Sequence, residues 1–505
     1  MTSAAENQRD RPSAARGPAD PPLAKRVETT RTLHGETSAD PYAWLRDRDD
    51  PDTIAYLEAE NAYCAAATAG LEPLRDEIFE EIKARTQETD LSVPVREGAW
   101  WYYTRTEEGK QYPIHCRRRS EADDGTEQVL LDENGLAGAS PYFRLGHFDV
   151  SPDGRLLAYS TDYDGGESYT LRFKDLDTGA VLPEELRGVY YSGAWTPDGS
   201  TYFYTTHDAA MRPYRIWRHR LGAPVERDVL VREEADERFF ASVDLTRSHG
   251  FILLELGSSV TSEVWVLRAD DPEAAPRVVE PRRQGVEYEV EHHGDRFFVL
   301  HNDGAENFAL ASAPIDAPGR ESWRTVIAGR DDTRLLGVDA FASHLVVYLR
   351  AEGRTGLRVL PLRDGVPGEA LDVAFPEPVY TVRPGDNPTY DTRLFRLTYT
   401  SLTVPVSTYD YDVEARSLTL KKRQPVLGDF EPERYESARE WAVAADGTRV
   451  PVSLVWRRGT PRDGTAPCLL YGYGAYEASM DPAFSIPRLS LLDRGLVYAI
   501  AHVRG

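Results

Sequence analysis

Ser151-Pro152-Asp153-Gly154 and Thr196-Pro197-Asp198-Gly199 are two turn sequences of the same design, 45 residues apart. Proline presets the first turn torsion, and glycine tolerates the positive φ that follows it. After the first turn come an apolar run at 156–160, a polar turn and a second run at 169–174. A strand–turn–strand unit that recurs at a fixed spacing indicates a repeat architecture.

Strand-opening positions recur through the whole middle of the chain, at gaps of 44 to 56 residues. They are Gly98, Gly154, Gly199, Gly250, Gly294, His344 and Thr392. Each is followed by one strand, a polar turn and a second strand. Seven mostly β units of roughly 50 residues predict a seven-bladed β-propeller over residues 89–423. A pair of β-sandwiches is the alternative, and the regular spacing argues against it.

The segment before the repeats, residues 25–88, is predicted to be mixed at its start and helical after that. Asp50-Pro51-Asp52 combines a capping residue, a proline at the first helical position and an acid in the first turn. Further on, an apolar stripe with helical spacing predicts a second helix with one buried face. The stripe consists of Leu74, Ile78, Phe79 and Ile82.

The segment after the repeats, residues 424–505, has the pattern of a mixed sheet. A turn at Asp446-Gly447 between two alternating runs predicts a hairpin. Two continuous apolar runs follow at 468–471 and 496–501. The second is typical of a buried strand in an α/β sheet.

The composition of the 505 residues, 41% hydrophobic and 28% charged, is typical of a soluble globular protein. No apolar stretch approaches the ~18 residues of a membrane-spanning helix, so an integral membrane protein is excluded. The net charge of −24 argues against nucleic-acid binding and favours cationic ligands, although it also serves solubility. The polar first 24 residues predict a disordered tail and lack the apolar core of a signal peptide.

Three widely spaced cysteines, Cys64, Cys116 and Cys468, fit a reducing cytoplasm better than a disulfide framework. We therefore expect a cytoplasmic protein in which each cysteine is buried and structural. No metal-binding or phosphate-binding motif occurs in the sequence, so no metal ion or cofactor is expected.

The strongest chemical signal is the segment 471–476, Tyr-Gly-Tyr-Gly-Ala-Tyr, which follows an apolar run. Glycines allow a tight backbone turn there, and a tyrosine hydroxyl on such a turn can donate to a developing oxyanion. Clusters of tyrosine and glycine are also common in ordinary loops. A Gly-x-Ser-x-Gly nucleophile elbow does not occur in the sequence.

Both ends of the chain resemble the prolyl oligopeptidase family of serine peptidases, most closely its oligopeptidase B branch. The segments that carry the resemblance are 32–35, 40–47, 441–454, 471–481, 484–485, 488–495 and 502–505. The tripeptide His502-Val503-Arg504 and the run 490–495 favour this branch over the proline-specific one. The resemblance covers essentially the whole chain beyond residue 25.

The resemblance implies a seven-bladed propeller that caps an α/β-hydrolase domain. Residues 25–88 and 424–505 would contribute to the hydrolase domain, and the propeller would exclude large folded substrates. The implied activity is hydrolysis of short, basic peptides after Arg or Lys. Tyr473 matches the tyrosine that helps to form the oxyanion hole, and Tyr476 matches an aromatic position of the substrate pocket.

The catalytic serine, aspartate and histidine of the family have no counterparts in this sequence, nor do the acids of the substrate pocket. We therefore expect an incomplete hydrolase domain, an inactive chain when alone, and an exposed sheet edge at 496–501. Two other functions stay open. One is a proline-specific oligopeptidase, and the other is a non-catalytic propeller that binds peptides or a partner. The oligomeric state is also open.

Overall fold

A computed structural model describes residues 20–123 and 125–503 of the chain. The predicted tail (1–24) falls largely outside these residues, as do Arg504 and Gly505. The chain forms two compact units, of which the first ends at Arg85 and the second begins at Thr86. Among the described helices, none combines the length and apolar character needed to cross a membrane.

The first unit contains one hairpin and two consecutive helices. Its elements are β1 (Thr30–Leu33), β2 (Glu36–Ala39), α1 (Pro51–Thr68) and α2 (Glu72–Arg85), with 3₁₀ turns at Ala43–Arg46 and Ala69–Leu71. Helix α1 begins as predicted, because the Asp50 carboxylate accepts the Asp52 backbone N–H at 2.8 Å. The predicted buried face of α2 is wrong, since Leu74 and Phe79 are 43% and 61% exposed.

The second unit begins with six antiparallel sheets, one of which has seven strands and forms two blades, and we number the resulting blades 1 to 7. Blade 1 has β3 (Asp90–Leu91), β4 (Val95–Glu97), β5 (Trp100–Thr106), β6 (Ile114–Arg118) and β7 (Gln128–Asp132). A short helix, α3 (Glu133–Ala137), leads to blade 2, with β8 (Arg144–Val150), β9 (Leu156–Asp162) and β10 (Tyr169–Asp175). Strand β11 (Val181–Trp195) pairs with β10 and then with β12, so blades 2 and 3 share it.

The remaining blades follow in sequence order. Blade 3 continues with β12 (Thr201–His207), β13 (Pro213–Arg220) and β14 (Val229–Glu233), after a 3₁₀ turn at Val225–Arg227. Blade 4 has β15 (Phe240–Leu245), β16 (Phe251–Gly257), β17 (Ser262–Arg268) and β18 (Arg277–Val278). Blade 5 has β19 (Tyr288–His293), β20 (Arg296–His301), β21 (Ala309–Pro314) and β22 (Arg324–Ile327), with a 3₁₀ turn at Arg320–Ser322.

Blades 6 and 7 complete the repeats. Blade 6 has β23 (Thr333–Ala340), β24 (His344–Ala351), β25 (Arg354–Arg363), β26 (Val366–Pro367) and β27 (Leu371–Asp372). Blade 7 has β28 (Tyr380–Pro384), β29 (Leu394–Ser401), β30 (Ser407–Asp412) and β31 (Ser417–Arg423). The prediction of a seven-bladed β-propeller is confirmed.

Apolar side chains between neighbouring blades form the core. Phe203 and Ile216 of blade 3 pack with Ile252 and Leu254 of blade 4 in one fully buried cluster. Similar clusters join blades 4 and 5, blades 5 and 6, and blades 6 and 7. Each blade is apolar on both faces and is stable only against its neighbours, which is why the unit must repeat.

The C-terminal part of the second unit is a mixed four-stranded sheet. It contains β32 (Tyr435–Val443), β33 (Arg449–Arg457), β34 (Cys468–Gly472), helix α4 (Ile486–Asp493) and β35 (Val497–Ala501), with 3₁₀ turns at Pro432–Arg434 and Ala475–Glu477. The spatial order is β32-β33-β35-β34, and only β34 and β35 are parallel. The prediction of a partial α/β-hydrolase fold beside the propeller is thereby confirmed.

The expectation of an exposed edge at 496–501 is wrong. Strand β35 lies inside the sheet, between β33 and β34, and the edge strand is β34, whose five residues are all exposed. The connection through α4 carries β35 past β34, so that the later strand lies closer to the centre. Cys468 is therefore exposed, as is Cys64, and only Cys116 is buried as expected.

Candidate functional site

The loop that follows β34 carries both tyrosines predicted for the site. Strand β34 ends at Gly472, where it pairs in parallel with Ala501 at the end of β35. The carboxyl ends of parallel strands in α/β sheets are where ligands bind. Tyr473 follows the strand directly and is 44% exposed, and Tyr476 is 96% exposed. Both side chains are therefore reachable from solvent on one loop.

The backbone of this loop is strained at two consecutive residues. Tyr476 has φ = 56° and Glu477 has φ = 58°, which is the left-handed region that favours glycine. Such a conformation persists where surrounding contacts hold it. The Glu477 carboxylate provides one contact, because it accepts from the Arg334 guanidinium of β23 at 2.7 Å.

A second anchor lies four residues further along. The Asp481 carboxylate accepts from Arg350 of β24 at 2.6 Å and from Arg383 of β28 at 3.0 Å. Its side chain is only 7% exposed. The Thr381 hydroxyl donates to the Pro482 carbonyl oxygen at 2.7 Å. Blades 6 and 7 thus hold the segment after Tyr473 at both of its ends.

Close serine–histidine pairs do occur in the described chain, although the sequence contains no nucleophile elbow. The shortest pairs in the described chain are Ser248 with His292 at 2.6 Å and Ser453 with His502 at 2.7 Å. Ser453 is 2% exposed, so a substrate carbonyl cannot reach its hydroxyl. The second ring nitrogen of His292 contacts the Gly294 carbonyl oxygen rather than a carboxylate. Neither pair has the arrangement of a catalytic triad.

A further feature, which the sequence analysis missed, is a cavity of about 750 Å³ where the blades converge. Inner strands of blades 1 to 5 and the turn after β28 line it, so it lies on the propeller axis. A second cavity of about 510 Å³ lies against blades 3 to 6. Asp244 and Glu291 line both cavities, and we call the two together the axial channel.

Carboxylates dominate the titratable groups of the axial channel. Burial raises the pKa of Glu97 and of Glu255 to about 7, and nearby carboxylates add to both shifts. Burial also raises the pKa of Glu291 to about 8, despite the opposing charge of Arg247. The pKa of Asp244 is raised by burial as well. Desolvation favours the protonated form of each carboxyl group.

One signal in the sequence does point to this channel. Glu287, Glu289 and Glu291 alternate with Tyr288, Val290 and His292, and the second set is buried between blades. Side chains at every second position of a strand share a face, so Glu289 and Glu291 of β19 point to the same side, and both line the second cavity. An alternating acidic run on a predicted inner strand is therefore a sequence mark of an acidic channel.

Comparison with known proteins gives consistent matches. The family profile described as "Prolyl oligopeptidase, N-terminal beta-propeller domain" matches residues 21–424. Dipeptidyl aminopeptidase BI of Pseudoxanthomonas mexicana is 41% identical, over 98% of this chain and 70% of its own length. Protease 2 of Moraxella lacunata is 35% identical, over 96% and 70% respectively. The structure of oligopeptidase B from Leishmania major superposes with a TM-score of 0.91, at 32% identity, over 97% of this chain and 72% of that one.

Proposed function

Because the chain belongs to the prolyl oligopeptidase family of serine peptidases, we propose that it functions in an oligopeptidase of the oligopeptidase B type. Its reaction is hydrolysis of short peptides after Arg or Lys. Peptidases of this kind attack the scissile carbonyl with a serine and stabilise the resulting oxyanion by hydrogen bonds. The observation that carries the proposal is the match to Protease 2 and to oligopeptidase B along almost the whole chain.

The specificity for basic peptides is supported by charge. The net charge of the chain is −24, which favours ligands of positive charge. The axial channel adds carboxyl groups with a single guanidinium among them, although burial keeps Glu97, Glu255 and Glu291 largely protonated near neutral pH. The ring of blades around this channel would also keep folded proteins away from the loop that carries Tyr473.

Tyr473 is the proposed oxyanion donor, and Tyr476 the proposed aromatic contact for the substrate. Their loop at the end of β34 is exposed, and ion pairs from blades 6 and 7 fix the segment that follows. Fixed donors are what oxyanion stabilisation requires, since they need no rearrangement during the reaction. In a catalytically active form, Tyr473→Phe should lower kcat roughly 10- to 1000-fold with little effect on folding.

The 505 residues by themselves are proposed to be inactive, because they contain no Gly-x-Ser-x-Gly and their buried Ser453 is unreachable. The test compares this chain with the product of the same reading frame continued past Gly505. We expect a fluorophosphonate to label a serine in the longer chain and none in the shorter one. A labelled serine in the 505-residue chain would show that a nucleophile lies within it. A stop codon directly after Gly505 would favour the non-catalytic, peptide-binding propeller.

A second candidate function is removal of dipeptides from free amino termini. The observation that favours it is the 41% identity to a protein named dipeptidyl aminopeptidase BI. The two candidates differ in their need for a free α-amino group. An aminopeptidase would cleave the coumarin amide of Gly-Arg and would not cleave the same compound with a blocked amino terminus. An oligopeptidase of the oligopeptidase B type would cleave both.

A further inference from the structure

His502 begins a motif to which the proposed chemistry gives no role, and it lies directly beside Tyr473 in the sheet. Strands β34 and β35 run parallel, and their last pair is Gly472 with Ala501. Tyr473 and His502 follow this pair, so the two residues leave the sheet side by side. Neighbouring strands lie about 4.8 Å apart, which sets the spacing of the two backbones at this point.

A buried serine holds the His502 ring against the sheet. Ser453 of β33 lies opposite Ile500 of β35, and His502 is two residues further along the same face. The Ser453 hydroxyl and the His502 Nε2 atom are 2.7 Å apart. Ser453 is 2% exposed, so solvent does not compete for this hydrogen bond. The His502 backbone N–H also donates to the Pro451 carbonyl oxygen at 2.9 Å, so both backbone and side chain are fixed.

The second ring nitrogen of His502 is directed to the far end of the loop. Burial is the main cause that lowers the pKa of His502, and a hydrogen bond to the Met480 backbone acts against it. The ring is therefore neutral at neutral pH. A neutral imidazole that donates through Nδ1 to the Met480 carbonyl oxygen accepts the Ser453 hydroxyl proton through Nε2. One ring thus connects the sheet with the end of the loop.

A turn of blade 6 covers His502 from the propeller side. This turn, between β24 and β25, has positive φ at Glu352 and Gly353, of 50° and 72°. A Cβ atom at Gly353 would lie 3.7 Å from the His502 Cβ atom and 3.4 Å from the Pro451 ring. Glycine allows this close approach. His502 is therefore confined between the C-terminal sheet and the propeller.

We infer that His502 is a positioning residue, which holds the loop of residues 473–480 so that the Tyr473 hydroxyl is fixed for oxyanion stabilisation. It binds Ser453 on the sheet and Met480 at the end of the loop, and its backbone adjoins Tyr473 where the loop begins. This role rests on the proposed function, in which Tyr473 donates to the oxyanion. A small displacement of such a donor is costly, because its position is what lowers the barrier.

The first test measures hydrolysis of a blocked arginyl coumarin amide by a form of the protein that reacts with a fluorophosphonate. Ser453→Ala and His502→Leu each remove the hydrogen bond and should lower kcat roughly 10-fold, with KM within about twofold. His502→Gln keeps an amide that reaches Ser453, and it should retain at least about half of the kcat. In a Tyr473→Phe background, Ser453→Ala should change kcat by less than about twofold, because the donor that is positioned is already gone.

The matched control is Ser248→Ala. The Ser248 hydroxyl lies 2.6 Å from a ring nitrogen of His292, in a serine–histidine pair of the same kind between blades 4 and 5. This variant should keep kcat within about twofold of the unmodified enzyme. Equal losses in Ser453→Ala and Ser248→Ala would reduce the effect to general stability. A full loss from Ser453→Ala in the Tyr473→Phe background would show that His502 does not act through Tyr473. Either result would overturn the inference.

A second test does not depend on catalysis. Amide hydrogen exchange over residues 473–480 is measured by mass spectrometry in the 505-residue chain. It should be roughly fivefold faster in Ser453→Ala than in the unmodified chain or in Ser248→Ala, because one hydrogen bond that holds the loop is lost. Unchanged exchange would overturn the positioning role. Failure of the unmodified enzyme to hydrolyse the arginyl reporter would instead contradict the proposed function, and the exchange measurement would still decide whether His502 holds the loop.

Discussion

Replacement of Glu291 by Gln should make the protein more stable at alkaline pH. Burial raises the pKa of this carboxyl group from 4.5 to about 8 in the folded chain, helped by Asp339 and Asp244 and opposed by Arg247. Between those two pH values the folded chain holds a proton that the unfolded chain has released. Stability therefore falls as pH rises through this window, and the full loss is present above pH 8.

The magnitude follows from the shift. At about 1.4 kcal/mol per pH unit, the difference between 4.5 and about 8 corresponds to a penalty on the order of 5 kcal/mol. Glutamine has the shape of the protonated acid but never carries the charge. The free energy of unfolding of the variant should thus equal that of the wild type near pH 5 and exceed it by up to a few kcal/mol at pH 9.

Scanning calorimetry at pH 5, 6, 7, 8 and 9 measures this difference as a shift in Tm between wild type and variant. We expect the shift to be near zero at pH 5 and to grow steadily towards pH 9. Glu226→Gln is the control, because Glu226 is exposed, and it should show no trend with pH. A shift of Glu291→Gln that is constant across the range, or that shrinks towards pH 9, would refute the raised pKa.

Three further outcomes are expected. Iodoacetamide should modify the exposed Cys64 and Cys468 rapidly and Cys116 slowly, because burial raises the pKa of the Cys116 thiol to about 12. Peptide mass mapping measures the three rates, and equal rates would contradict this prediction. Phe298→Ala, between blades 5 and 6, should destabilise the chain by about 3–5 kcal/mol in denaturant titration, and a loss under 1 kcal/mol would contradict its burial. Asp481→Asn should speed proteolytic cleavage after β34, because two ion pairs are lost, and unchanged cleavage would remove its anchoring role.

The propeller was predictable because its signal is local and repeated. Turns such as Ser151-Pro152-Asp153-Gly154 define where strands begin, and alternation defines which faces are buried. The sharing of strand β11 by blades 2 and 3 was not predictable from the sequence. It depends on one continuous 15-residue strand whose pairing shifts register against β10 and against β12. The central position of β35 was also missed, because strand order in a sheet is a long-range property.

The candidate site was predictable in part. The Tyr473 loop could be identified from its Tyr/Gly pattern and from resemblance, but its anchors could not. Arg350 and Asp481 are 131 residues apart in the sequence, and only the packing of blade 6 against the C-terminal segment brings them together. The alternation of Glu289 and Glu291 with apolar residues was visible in the sequence. Its meaning depends on which face of β19 meets the propeller axis, and this follows only from the closed ring of blades.

The proposed activity is tested most directly by the ratio of kcat/KM values for two reporters, a blocked arginyl coumarin amide and a blocked prolyl one. The enzyme in this assay is a form of the protein that reacts with a fluorophosphonate. We expect the arginyl reporter to be preferred by at least roughly 100-fold, and Tyr473→Phe to lower its hydrolysis. Preference for the prolyl reporter would contradict the oligopeptidase B assignment, and hydrolysis of neither reporter would contradict the peptidase function.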